Sequence, residues 1–94
     1  MREKVIEKKL VDEIKKLGGL CLKFNSQSMV GIPDRIILLN NKRMCFVETK
    51  APNKKLRPLQ LITKRKLESL GFKVYVVDTI EKVKEVVDEI KTEM

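Results

Sequence analysis

Two apolar runs, Ile36-Ile37-Leu38-Leu39 and Met44-Cys45-Phe46-Val47, flank the tripeptide Asn40-Asn41-Lys42. Asparagine tolerates turn conformations, so the stretch reads as a hairpin: one strand from about Asp34 to Leu39, the other from Met44 to Lys50. A hairpin centred on Asn41 opposes residues whose numbers sum to 82, and this sets Asp34 against Glu48. Directly opposed side chains on one face have Cβ atoms roughly 4.5–5.5 Å apart. The two-residue period of a strand puts Lys50 on the face of Glu48. Asp34, Glu48 and Lys50 then converge at one end of the sheet, beyond Ile36, Leu38, Met44 and Phe46. A register slip of one residue would dissolve the grouping.

The rest of the chain organises around this hairpin. Ile6, Leu10, Ile14 and Leu17 recur at helical spacing, with Val11 at the edge, and predict a helix over Glu3–Leu17 closed by Gly18-Gly19. Leu20–Phe24 reads as a strand and Asn25–Gly31 as a loop, and Pro33 delays the next strand. Pro58 suits the first turn of a second helix running to about Leu70, with Gly71 after it. Phe72–Val77 reads as a fourth strand and Ile80–Ile90 as a last helix with Ile80, Val83, Val87 and Ile90 on one face. The order is α-β-β-β-α-β-α, a single mixed α/β domain over residues 1–94. Apolar runs that are continuous, not alternating, suggest a sheet covered on both faces.

Composition narrows the chemistry. The chain has no histidine, which excludes Ser-His and Cys-His catalysis. Its two cysteines, Cys21 and Cys45, stand singly in apolar runs and read as buried thiols, too few for a structural zinc site. No window approaches the roughly 20 apolar residues of a membrane span. The N-terminal residues lack a signal-peptide apolar region, so an intracellular, cytoplasmic protein is expected. Charge is uneven: residues 14–67 carry thirteen Lys and Arg but only two acids, Asp34 and Glu48, while residues 68–94 have a net charge of −3. A basic block points to a polyanionic partner, most simply nucleic acid; a lysine-rich surface can also serve solubility alone.

Two facing carboxylates repel unless a cation or a proton lies between them. Their hard oxygens suit Mg²⁺, with Mn²⁺ as substitute. Such an ion polarises a phosphate and acidifies a bound water, and Lys50 can orient that water or stabilise the charged transition state. An Asp followed by Glu-x-Lys is the constellation of a phosphodiester nuclease. The plainer alternative is a set of salt bridges at a sheet end. Glu7 lies within the apolar arc of the first helix and reads equally as a residue at the rim of the core. Gln60, in a first helical turn, reads by itself as a solvated residue.

The residues Gly31-x-Pro33-Asp34, Phe46-Val47-Glu48-x-Lys50-Ala51-Pro52 and Leu56-x-Pro58-x-Gln60 together resemble the virus-type replication-repair nuclease domain, VRR-NUC, a branch of the PD-(D/E)xK nucleases. Ile6-Glu7 and Gly18-Gly19 with Lys23 precede them in the expected places, and Gly71-Phe72-x-Val74-Tyr75-Val76-Val77-Asp78 follows. The resemblance implies a restriction-endonuclease-like core, a mixed sheet flanked by helices. It implies that Asp34, Glu48 and the backbone carbonyl of Thr49 bind the metal. Glu7 would add an acid, directly or through water; Lys50 would be the catalytic lysine and Gln60 a further active-site residue. Thr49 stands where Leu or Val is the commoner expectation. Short stand-alone members look like phage or prophage proteins and resemble junction-resolving homodimers.

The leading expectation is therefore a Mg²⁺-dependent endonuclease on branched DNA such as four-way (Holliday) junctions. A less selective nuclease on flapped or single-stranded DNA and a non-catalytic basic binding module are the alternatives. Expected DNA-contacting residues are Lys23, Arg35, Lys54, Lys55, Arg57, Lys64, Arg65 and Lys66. Phe24, Phe46, Phe72 and Tyr75 all read as core, which argues against a single-strand stacking platform. Leu59, Leu61 and Ile62, with Met29 and Val30, stand out as apolar residues in polar surroundings and are the candidate dimer face.

Overall fold

A computed structural model describes residues 2–93. The elements follow the expected order: α1 (Glu3–Lys16), β1 (Leu20–Lys23), β2 (Arg35–Leu38), β3 (Met44–Thr49), α2 (Pro58–Ser69), β4 (Val74–Val77) and α3 (Ile80–Thr92). The four strands form one sheet in sequence order, β1-β2-β3-β4. The first two pairings are antiparallel, and β3 pairs with β4 in parallel through the α2 crossover. A parallel pair needs such a crossover, because no short turn can return the chain to the same end of the sheet.

The hairpin has the register expected of it. Arg35 pairs with Val47, Ile37 with Cys45 and Leu38 with Met44. Asn41 and Lys42 take φ of 57° and 62°, the left-handed pair that a tight hairpin turn requires. On α1 the inner stripe Ile6, Leu10 and Ile14 is fully buried. They meet Ile37, Cys45, Val47 and Val77 from the sheet and Val83, Val86, Val87 and Ile90 from α3. The Thr79 hydroxyl caps α3 by accepting the amide of Lys82 at 3.0 Å. The odd-numbered positions of β2 and β3 thus face α1 and α3.

The other sheet face, carrying Ile36, Leu38, Met44, Phe46 and Glu48, lies towards α2. Its cover is incomplete. Strand β3 is buried along nearly its whole length, but Leu20, Leu22 and Leu38 are 56%, 43% and 38% exposed. This corrects the expectation of a sheet covered on both faces: α2 belongs to the β3–β4 crossover and touches β4, leaving the β1–β2 half open. Phe72 differs too. It precedes β4, donates its amide to Leu67 at the end of α2, and stays 39% exposed, edge-on to the buried ring of Phe46. Cys21 and Cys45 are free thiols, and burial pushes them up to about 11 and about 12, out of the reactive range.

Candidate active site

The end of the β2–β3 hairpin brings Asp34 and Glu48 together through crossed hydrogen bonds. The Asp34 amide donates to Glu48 Oε1 at 2.9 Å. The Thr49 amide donates to Asp34 Oδ1 at 2.8 Å, and its hydroxyl donates to Asp34 Oδ2 at 2.5 Å. Each acid is thus held by the backbone of the strand that carries the other. Pro33 helps to free these groups. Continuing the hairpin register sets it against Thr49, and a proline has no N–H to give that carbonyl.

A second grip on Glu48 comes from α2. The Gln60 side chain is buried and donates from Nε2 to Glu48 Oε2 at 2.6 Å, while its Oε1 accepts the amide of Arg57 at 2.9 Å. Gln60 is therefore no solvated first-turn residue; it ties the start of α2 to β3. Lys50, on the same face as Glu48, places Nζ 3.6 Å from Glu48 Oε2, with only 14% of its side chain exposed. The loop before Asp34 is pinned to α2 as well. Thr63 donates its hydroxyl to the Val30 carbonyl at 2.9 Å. Gly31 has φ of 81°, and a Cβ there would lie 2.7 Å from the Leu59 carbonyl oxygen. A cavity of about 370 Å³ opens beside Gln60, walled by Val30, Gly31, Arg57, Pro58 and Leu59.

The electrostatics follow from burial and proximity. Removal from water, then the negative charge of Asp34, pushes the Glu48 carboxyl up to about 7, despite the opposing pull of Lys50. A carboxylate so strained by its neighbour gains from a cation. The donors present fit a hard divalent ion: two carboxylates, with the Thr49 carbonyl as a third oxygen at the same strand end. Mg²⁺ typically takes one or two carboxylates and leaves its other positions to water and phosphate.

Two expected members lie elsewhere. Among the described residues no group of three or more acidic, His or Cys side chains is close enough to share a metal. Glu7 is instead paired with Arg35: Oε2 accepts from Nε, and lies near Nη2, both at 3.3 Å. The reason is strand parity. Arg35 alternates with Asp34, shares the α1 face with Ile37, and is only 8% exposed. A buried guanidinium needs partners; it takes Glu7 and the Cys21 carbonyl, to which Nη1 donates at 3.3 Å. So Glu7 is bonded to Arg35 and not to Asp34 or Glu48, and Arg35 is turned into the fold. The remaining expected contacts do face outward: Lys23, Lys54, Lys55, Arg57, Arg65 and Lys66 are exposed. Lys64 is half-buried and paired with Glu68 at 3.0 Å. The Thr49 hydroxyl is a side-chain contact at the carboxylates that sequence reasoning missed; a buried strand threonine beside a paired acid was its only signal.

Comparison with known proteins places the chain in a family. The profile of the VRR-NUC domain matches residues 1–80. A protein named as a nuclease, p44 of Acyrthosiphon pisum secondary endosymbiont phage 1, is 46% identical over 79 residues, which span 84% of this chain and 85% of that protein. A solved VRR-NUC domain structure superposes with a TM-score of 0.86 at 29% identity, covering 92% of this chain and 94% of the other. The chain belongs to the VRR-NUC domain family.

Proposed function

We propose that this nuclease-family chain is a Mg²⁺-dependent, structure-selective DNA endonuclease that hydrolyses phosphodiester bonds in branched DNA such as four-way junctions, with Mn²⁺ able to replace Mg²⁺. The convergence of Asp34, Glu48 and Lys50, with Asp34 held by Thr49 and Glu48 held by the Asp34 amide and Gln60, carries the reading. Asp34, Glu48 and the Thr49 carbonyl would hold the cation. Its chemistry is charge against the scissile phosphate and a lowered pKa for bound water.

The protein's own side chains divide the remaining tasks. Gln60 donates to Glu48 Oε2 while the Asp34 amide donates to Oε1, so the carboxylate is fixed at both oxygens. Lys50 brings a positive charge to the same oxygen and is placed to orient the attacking water or to offset charge that develops on the phosphate. The exposed Lys54, Lys55, Arg57, Arg65 and Lys66 lie in an acid-free segment next to the site and suit the flanking phosphates. Selectivity for a branch would come from pairing. Met29, Val30, Leu59, Leu61 and Ile62 are 42%, 72%, 56%, 37% and 61% exposed, an apolar surface apt for a two-fold dimer.

The test is a cleavage assay on labelled four-way junction, flap, duplex and single strand, each with Mg²⁺, Mn²⁺ or EDTA. The expected result is symmetric cleavage of the junction in either metal, none in EDTA, and none by Asp34→Ala or Glu48→Ala. Cleavage in EDTA, or by either variant within a few-fold of wild type, overturns the metal assignment. Equal cutting of all four substrates overturns branch selectivity in favour of a general nuclease.

A further inference from the structure

We infer that the Thr49 hydroxyl is a positioning group for metal binding, setting the orientation of the Asp34 carboxylate. The inference rests on the proposed metal-dependent reading and adds a residue to it. Thr49 grips both oxygens of Asp34, its amide on Oδ1 at 2.8 Å and its hydroxyl on Oδ2 at 2.5 Å. Under that reading the same residue would also offer the cation a third oxygen through its carbonyl. One residue therefore couples the direction of the Asp34 carboxylate to the position of another ligand.

The surroundings argue against a merely structural threonine. Thr49 is 3% exposed and lies on the helix-facing side of β3, where Val47 and Val77 are fully buried. A hydroxyl in an apolar layer costs stability unless it is bonded, and valine has the same shape without that cost. Among the described residues the hydroxyl's hydrogen bond is to Asp34. A carboxylate has about four lone-pair sites; Thr49 takes one on each oxygen and leaves one on each for a cation. Without the hydroxyl, only the amide restrains rotation about the broad terminal torsion of Asp34. Loss of a hydrogen bond that orients a metal ligand typically weakens metal affinity about 10–100-fold.

The experiment is Mn²⁺ titration by calorimetry at pH 8 on wild type, Thr49→Val, Thr49→Ser and Asp34→Ala, without DNA, alongside thermal melts in EDTA. We expect Thr49→Val to bind Mn²⁺ at least about tenfold more weakly, Thr49→Ser to bind nearly as wild type does, and both to melt close to wild type. If the valine variant fails to fold, Thr49→Ala is read in its place. Wild-type affinity in the valine variant overturns the inference. So does an equal loss in the valine and serine variants, which would assign the effect to shape. If wild type takes up no Mn²⁺, or Asp34→Ala binds it as well as wild type, the metal reading itself fails and this role falls with it.

Discussion

Glu48 carries the strain of the site. Its carboxyl titrates near 7 in the fold against an ordinary value near 4.5, chiefly because burial and then Asp34 disfavour its charge. The folded state therefore prefers Glu48 protonated. The resulting stabilisation is complete below the unfolded pKa and is lost as pH rises through about 7. In EDTA the melting temperature should fall between pH 5 and pH 8 by an amount equivalent to on the order of 1–3 kcal/mol. Glu48→Gln should flatten that dependence, and Mn²⁺ should reverse it above pH 7 by binding the ionised form. Calorimetric melts across this range check the prediction. The Asp34 amide donates to this carboxylate, so its proton resonance should titrate along with Glu48. Lys50 makes a separate prediction. Lys50→Ala should lower the single-turnover cleavage rate by roughly two orders of magnitude or more while changing DNA affinity little, because a contact made in the transition state acts on rate. Equal losses in rate and affinity, matched by Lys54→Ala, would reduce Lys50 to an ordinary phosphate contact.

Among the elements, the junction between the Gly31 loop and α2 holds the most tension. Gly31→Ala puts a side chain into a left-handed conformation and within 2.7 Å of a backbone oxygen of α2. It should destabilise the chain by about 2 kcal/mol or more, and it should impair cleavage beyond that, because the loop leads to Asp34 and the helix bears Gln60. Urea denaturation and the junction assay read the two effects. The same elements show what was legible in the sequence. The hairpin register was, because a turn centred on Asn41 leaves one pairing that groups the two acids with Lys50. The parity of β2 is legible as well: Arg35 alternates with Asp34, so it enters the α1 face and claims Glu7. The hold of Gln60 on Glu48 spans twelve residues and two elements, and local pattern is blind to it; only the family resemblance suggested a role. The exposure of Leu20, Leu22 and Leu38 depends on where α2 lands, which an apolar run does not encode.

For the whole molecule the decisive quantities are charge and assembly. Affinity for duplex DNA should fall steeply with salt, with a log–log slope of about −0.9 for each phosphate neutralised. Charge reversal of Lys54, Lys55 and Arg57 should shallow that slope without changing the melting temperature. A slope near zero in wild type would refute phosphate-driven binding. A symmetric dimer should appear in light scattering at micromolar concentration, and Leu59→Glu with Ile62→Glu should convert it to monomer. A monomeric wild type that still cuts junctions symmetrically would sink the dimer. The distribution of charge across the sheet has a further consequence. Residues 49–67, which include α2, carry seven cations and no acid, whereas residues 68–94, which end in α3 on the opposite face, have a net charge of −3. The sheet thus separates the cationic side that carries α2 from the acidic side that carries α3. Such a body has a permanent dipole, and the field of a polyanion exerts a torque on it before contact. Encounters should be pre-turned so that the face with the carboxylates leads and α3 trails, raising the fraction of collisions that are productive at low ionic strength.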